Sequence, residues 1–289
     1  MRLDGYLSSH VVEPFIRSGI FLPQPGIPIL MYHSVSDDNE SQRGDYYRLC
    51  TPPALFREHM AVLKAEDFSV VDISTAVAVL EGSNAGDPPP GRLVVLTFDD
   101  GFHNFLTNAW PILSDFAFAS TVFLPTRFIG AQRVAFQGRD CLTWDEVRAL
   151  RADGVTIGSH TVSHPKLVEM DEAGLRQELS ESRRVIENEL AEEVSFFSHP
   201  YAFPQADAGY ISRYRRAMTQ AGYRAGVTTR LGRARYGDDP LMLKRLPVNG
   251  TDQAALLRAK LLGAYDWLHG PQLAMQWIKR SGNHLAATR

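Results

Sequence analysis

Four side chains stand out by type and spacing. An apolar run, Leu93-Val94-Val95-Leu96, leads through Thr97-Phe98 into two adjacent carboxylates and a glycine, Asp99-Asp100-Gly101. Such a run reads as a buried strand that delivers two acids to its C-terminal tip. Adjacent carboxylates repel unless a cation or a shared proton lies between them. About sixty residues on, His160-Thr161-Val162-Ser163-His164 places two imidazoles four residues apart. On a helical turn that spacing puts both on one face. Two neutral imidazoles and one carboxylate make a three-ligand set with room for water, the form of a catalytic metal site. The division of labour expected is Asp100, His160 and His164 as ligands, with Asp99 as the base that takes a proton from metal-bound water. Zinc suits the set, and cobalt or nickel would also fit.

The elements that must position these residues alternate strand and helix. Strands are predicted over 27–35, 68–71, 92–98, 120–124, 155–158, 195–198, 223–228 and 242–248. Thr51-Pro52 reads as N-cap and first residue of a helix. Asp72 or Ser74 caps a helix to Leu80, and Thr143-Trp144-Asp145-Glu146 matches a capping box. Longer helices are expected over 103–118 (kinked or jointed at Pro111), 171–192, 207–221, 252–267 and 272–280. Alternation of this kind implies a parallel sheet. The polar residues gather at strand ends (His33, Asp99, Asp100, His160, Tyr201), as in a β/α barrel, so a closed barrel is preferred to an open sheet. Residues 1–26 read as a lead-in, 27–250 as the barrel and 251–289 as a helical extension packed on it.

The three motifs in this order, Thr97–Gly101, His160–His164 and Phe196-Phe197-Ser198-His199-Pro200-Tyr201, resemble the polysaccharide deacetylase family, the NodB-like carbohydrate esterases of family 4. Ile29–Val35, Trp110–Leu113, Thr143–Glu146 and Lys244–Val248 extend the likeness over roughly residues 28 to 250. The resemblance implies a distorted (β/α)7 barrel and metal-dependent removal of N-acetyl groups from amino sugars. By position it makes Asp99 the base, and Asp100, His160 and His164 the metal ligands. The Tyr201 backbone N–H becomes the donor to the oxyanion. Two departures matter. Where the family commonly carries Arg-x-Pro-Tyr this chain has Ser198, so another cation must orient the base, and Arg245 is the candidate. No Leu-x-His follows residue 201 to supply the acid. His33, at the tip of the first strand, takes that role, as in the biofilm-polysaccharide branch with its early Tyr-His.

The expected substrate is an N-acetylated sugar, in a polymer or in a lipid- or nucleotide-linked precursor. Two other readings are a hydrolase of small non-sugar amides and a catalytically impaired sugar-binding homologue. Of the 289 residues 44% are hydrophobic and the net charge is −3, so nothing favours a nucleic-acid partner. Cys50 and Cys141 read as free buried thiols. No stretch resembles a secretory leader or a transmembrane helix, which points to the cytoplasm. The aromatic, Lys/Arg-bearing C-terminal segment is expected to pack on the barrel wall, with peripheral membrane contact as its alternative. His103 and Trp144 read as helix-start residues, and His199 is divided between pocket and scaffold.

Overall fold

In the computed structural model, residues 3–20, 22–40, 42, 44, 48–82 and 91–277 are described. Eight parallel strands form the main sheet: β1 (Ile29–Tyr32), β2 (Phe68–Val71), β3 (Arg92–Phe98), β4 (Thr121–Leu124), β5 (Thr156–Ser159), β6 (Phe196–Ser198), β7 (Ala225–Leu231) and β8 (Leu243–Pro247). Seven of them close a barrel in the order β1, β3, β4, β5, β6, β7, β8. Closure comes from β1, which pairs with β3 (Leu30 opposite Leu96) and with β8 (Leu30 opposite Leu246). The strand β2 pairs only with the first half of β3, outside the ring. Helices between the strands cover the barrel, as parallel pairing requires.

The period of two along each strand explains both the core and the site. Leu93 and Val95 of β3, Ile29 of β1, Phe123 of β4, Phe196 of β6, Val227 of β7 and Leu243 of β8 form one apolar cluster. Ile73, Ala76 and Val77 of the helix Ile73–Gly82 join it. Continuing each strand in steps of two reaches Thr97 and Asp99, His33, Ser198 and Arg245. Polar residues of the same parity therefore stack above an apolar floor. The alternate residues, such as Leu30, Val94, Leu96 and Phe98, face the helices in a second, larger cluster.

Gly158 shows how tightly the floor is filled. It lies opposite Phe123, and a Cβ there would sit 2.5 Å from the Phe123 ring and 3.0 Å from the Phe196 carbonyl. Gly158→Ala is therefore expected to cost about 1–3 kcal/mol by overpacking, read as a lower urea midpoint at unchanged m-value.

Several boundaries differ from the sequence expectation. Thr51 belongs to a two-residue strand with Cys50, and the helix begins at Pro53 with Pro52 as its cap. Asp72 is the cap of the next helix, its Oδ1 accepting the Thr75 N–H at 2.7 Å. The single helix expected over 103–118 is a π-turn, Phe105–Ala109, followed by an α-helix, Trp110–Phe116, and Pro111 marks the joint. Proline has no N–H to continue the ladder. At its C-terminal end the expected 252–267 helix stops at Leu261; Gly263, at φ 86°, breaks it. Residues 269–277 form the next helix, and 278–280 lie outside the described residues. Ahead of the barrel, residues 3–17 are helical throughout, with a π-turn at Ser8–Val12. The capping box at Thr143 is present in full. Both cysteines are buried free thiols. Among the described residues no helix is long and apolar enough to cross a membrane.

Candidate active site

The strand tips bring His33, Asp99, Asp100, His160, His164 and Arg245 to one end of the barrel. Asp100 Oδ1 lies 3.5 Å from His160 Nε2 and 3.4 Å from His164 Nε2. The three ligand atoms fall within 4.8 Å of one another and all three residues are buried. His160 Nδ1 lies 2.7 Å from the Ser198 carbonyl. A carbonyl only accepts, so Nδ1 carries the proton and Nε2 presents its lone pair to Asp100. Asp100 Oδ1 has no hydrogen-bond partner. A buried, unpartnered carboxylate oxygen facing two imidazole nitrogens is costly by itself and is satisfied by a divalent cation. The donor set therefore fits such an ion, with Asp100, His160 and His164 holding it.

The two histidines do not ride on a helical turn. Residues 160–166 are irregular, and Thr161 (φ 71°) and His164 (φ 55°) are both left-handed. Those two reversals, not a 3.6-residue period, turn the imidazoles together. Positive φ is unfavourable for any side chain and most of all for β-branched threonine. The strain is held from three directions. Thr161 Oγ1 accepts the His164 N–H at 2.9 Å. Glu178 accepts the N–H groups of Val162 and Ser163 and the Ser163 hydroxyl. Thr126 and Arg127 donate their N–H groups to the carbonyls of Thr161 and Val162. Asp100 (φ 73°) and Tyr201 (φ 56°) are left-handed as well. Each such residue stores about 1–3 kcal/mol of strain, the usual mark of a site over-determined by its surroundings.

Arg245 is fully buried and uses every donor it has. Nη1 and Nη2 donate to Asp99 Oδ1 and Oδ2, each at 2.8 Å; Nη1 also reaches Thr97 Oγ1, Nη2 reaches Ser198 Oγ at 2.9 Å, and Nε reaches the Thr228 carbonyl. The residue expected to replace the family's motif arginine thus grips Asp99 with both arms. It also touches Ser198, which stands where that arginine would be.

The two aspartates are driven apart. For Asp99, burial raises the carboxyl, but the Arg245 guanidinium, together with His160 and His33, holds it well below the usual carboxylate range. Asp100 is pushed up to about 8 by burial and then by the neighbouring Asp99 charge. Burial lowers His160 to about 4 and, with His160 beside it, His164 to about 3, so both are neutral and able to ligate. His33 is nearly buried, with Nε2 4.0 Å from Asp99 Oδ2, and burial lowers it to about 4 against the pull of Asp99. Its neighbour Tyr32 turns to the other face of β1, where its hydroxyl meets His59 Nδ1 at 3.1 Å.

Tyr201 is half exposed, and its ring packs edge-on against His164 at 4.6 Å. Phe136, from the hairpin after β4, covers His164 on another side at 5.1 Å. His199 belongs to the scaffold. It is buried, its Nε2 lies 2.6 Å from the Tyr210 hydroxyl, and burial lowers it to about 3. Trp144 is buried in the core, and His103 meets Glu146 at a helix start. Glu178 and Phe136 carried no sequence signal, since their relation to the site exists only after the chain has folded.

His199 makes a testable contribution to acid sensitivity. Its folded value, about 3, lies below the ordinary 6.5, so the unfolded chain binds a proton that the folded chain refuses. Stability from this group is complete above about pH 6.5 and falls as pH drops towards about 3. In urea unfolding between those limits, His199→Leu is expected to flatten the slope by about 1.4 kcal/mol per pH unit, whatever it does to stability at neutral pH.

Residues 86–226 match the family model described as polysaccharide deacetylase. A Bacillus subtilis (strain 168) protein, YxkH, catalogued as a candidate polysaccharide deacetylase, is 26% identical over 223 residues, which is 77% of this chain and 71% of that protein. The poly-beta-1,6-N-acetyl-D-glucosamine N-deacetylase of Escherichia coli (strain K12) is 30% identical over 168 residues, 52% of this chain and 23% of its own length. Among solved structures, the Streptococcus pyogenes deacetylase PplD in complex with acetate superposes with a TM-score of 0.69 at 22% identity, over 83% of this chain and 99% of that one. That likeness concerns the fold, and the architecture is the (β/α)7 barrel shared with it.

Proposed function

We propose, because this chain belongs to the polysaccharide deacetylase family, that it hydrolyses the N-acetyl group of an amino sugar in a polysaccharide or in its lipid- or nucleotide-linked precursor. The observation that carries this reading is the buried triad of Asp100, His160 and His164 around an unpartnered carboxylate oxygen, directly beside the arginine-gripped Asp99. The kinship with a poly-N-acetylglucosamine deacetylase supports an acetamido sugar as the substrate class.

Asp100, His160 and His164 would hold a divalent ion, most simply zinc. Bound there, it supplies Lewis acidity, which lowers a water's pKa towards about 7 and polarises an acetamide carbonyl. The remaining chemistry belongs to the chain. Asp99 stays ionised throughout the working pH range and takes a proton from the attacking water. The water oxygen forms a bond to the carbonyl carbon, and the Tyr201 N–H donates to the oxyanion. His33 is neutral at rest. The proton on Asp99 passes through one bridging water to His33, whose Nε2 lies 4.0 Å away, and His33 delivers a proton to the departing nitrogen as the C–N bond breaks. Acetate and a free amine result, and the water's proton ends on the amine. Arg245 touches neither substrate nor metal; it is a positioning residue that fixes the plane of Asp99.

The test is acetate release from N-acetylated oligosaccharides after metal loading, beside a panel of small non-sugar amides. Purified protein should hold about one divalent ion per chain. His164→Ala should lose most of that ion together with activity. Turnover confined to the non-sugar amides would replace the sugar assignment. Metal binding without turnover on any member would favour a sugar-binding role.

A further inference from the structure

The helix 269–277 meets the barrel through side-chain amides. His269, Gln272, Leu273 and Gln276 form its partly buried face, and its two glutamines stand one turn apart. Gln272 Nε2 donates to the Thr229 carbonyl and Gln272 Oε1 accepts the Leu231 N–H, each at 2.9 Å. Gln276 Nε2 donates to the Phe203 carbonyl at 2.9 Å, and its Oε1 accepts the Ala206 N–H at 3.4 Å. A carboxamide offers donor and acceptor together, as a peptide group does. Each glutamine therefore engages the main chain as a neighbouring strand would. Gln205 Nε2 donates to Gln272 Oε1 at 3.2 Å and joins the two clamps.

The clamps sit where the sheet lets go of its own chain. Pairing of β6 with β7 runs to the His199 N–H, which donates to the Val227 carbonyl at 2.9 Å. The chain then reverses at Tyr201, left-handed at φ 56°, while β7 continues to Leu231. Gln272 takes up β7 groups in that continuation. The departing loop is held by Thr229, whose Oγ1 donates to the Tyr201 carbonyl at 3.3 Å and accepts the Phe203 N–H at 2.8 Å. Gln276 holds the same loop at Phe203 and Ala206. Left-handed backbone at a non-glycine residue persists only where its surroundings enforce it. Here the enforcement traces to one helix, directly through Gln276 and through the Thr229 that Gln272 fixes.

We infer that Gln272 and Gln276 are positioning residues that strap the 201–206 loop to the barrel and so aim the Tyr201 N–H at the oxyanion. The inference rests on the deacetylase reading for the task of that N–H. The oxyanion charge develops only in the transition state, so a loosened donor lowers kcat more than it weakens substrate binding. Asp100, His160 and His164 lie on the loops after β3 and β5, away from both glutamines in the chain, so metal content should be unaffected.

The experiment compares acetate release, metal content and amide hydrogen exchange in wild type, Gln272→Leu/Gln276→Leu and Gln276→Leu. Leucine fills similar space and removes both hydrogen-bonding groups. The double variant should lose about tenfold or more in kcat, part of the roughly 10²–10³-fold that an oxyanion donor supplies, with KM within about threefold of wild type. Exchange of the Phe203 and Ala206 amides should quicken about tenfold or more while β1 exchanges as before. Gln276→Leu should show both changes to a smaller degree, and it carries the test if the double variant folds poorly. Leu268→Ala loosens the same segment where Leu268 packs on the core and spares both glutamines. It should lower the melting temperature and leave kcat in place. An equal kcat loss in Leu268→Ala overturns the inference, because any loosening of the segment would then suffice. Unchanged kcat or unchanged exchange in the glutamine variants overturns it too. So does a rise in KM at constant kcat, which would set the helix against bound substrate. If the wild type releases acetate from no sugar, the deacetylase reading fails separately, and the exchange result still decides whether the glutamines hold the loop.

Discussion

Asp99→Asn is expected to lower kcat/KM for acetate release by about 10²–10⁴-fold, the range for loss of a general base, while divalent metal content stays at the wild-type level. The two halves of this result separate the aspartates. Asp99 lies outside the set of ligand atoms formed by Asp100, His160 and His164, so its charge is not needed to complete that set. A second effect accompanies the first. Arg245 donates to both oxygens of Asp99, and the asparagine amide must turn its NH₂ towards one of those donors. A donor facing a donor, with the buried Arg245 charge left unpaired, costs about 3–5 kcal/mol, so the variant should also melt earlier. Asp99→Ser avoids that clash and should lose activity to a similar degree, which makes the kinetic loss attributable to the missing base. Metal analysis and initial rates on the same preparations decide the matter. Full activity in either variant would remove Asp99 from the role, and loss of metal in both would make it a ligand.

How much of this site is legible in the sequence depends on which force places each residue. The apolar floor and the polar layer above it follow from period-two alternation, so the strands and the polarity of their tips can be read directly. The ligand set can be read because Asp100, His160 and His164 lie in short motifs. The path that unites the histidines cannot: four-residue spacing suggests a helical turn, whereas two left-handed residues do the work. Those dihedrals are imposed by Glu178, Thr126 and Arg127, whose contacts with the loop are tertiary. The joint at Pro111 and the break at Gly263 have local causes, a missing N–H and a left-handed glycine. The burial of the helical segment 3–17 is illegible for a different reason: it buries Asp4, Ser8, Ser9 and Glu13 and exposes Tyr6, Val11 and Phe15. Its pattern is amphipathic in either sense, and only the folded chain shows that the polar side is the buried one.

Arg245→Ser is expected to destabilise the fold by about 3–5 kcal/mol, because removing one member of a buried ion pair leaves the other charge uncompensated. Here the stranded charge is Asp99, next to Asp100 in an equally buried position. The kinetic signature distinguishes orientation of the base from scaffolding alone. With the guanidinium gone, Asp99 loses its strongest cationic partner while its burial remains, so its pKa should rise. The acid limb of the kcat/KM profile should therefore move to higher pH, with metal content retained. A purely structural arginine would lower the melting temperature and leave that limb in place. The contact between Arg245 Nη2 and Ser198 Oγ suggests a stricter test. It joins β8 to β6 across β7, so a guanidinium rooted at residue 198 would reach the same carboxylate from the other side. In the exchange Arg245→Ser/Ser198→Arg, activity should recover about tenfold or more relative to Arg245→Ser, and the acid limb should return towards its original position. An exchange that restores stability but not the pH profile would confine Arg245 to structure. Recovery of both would show that the barrel requires one guanidinium against Asp99 and is indifferent to which strand supplies it.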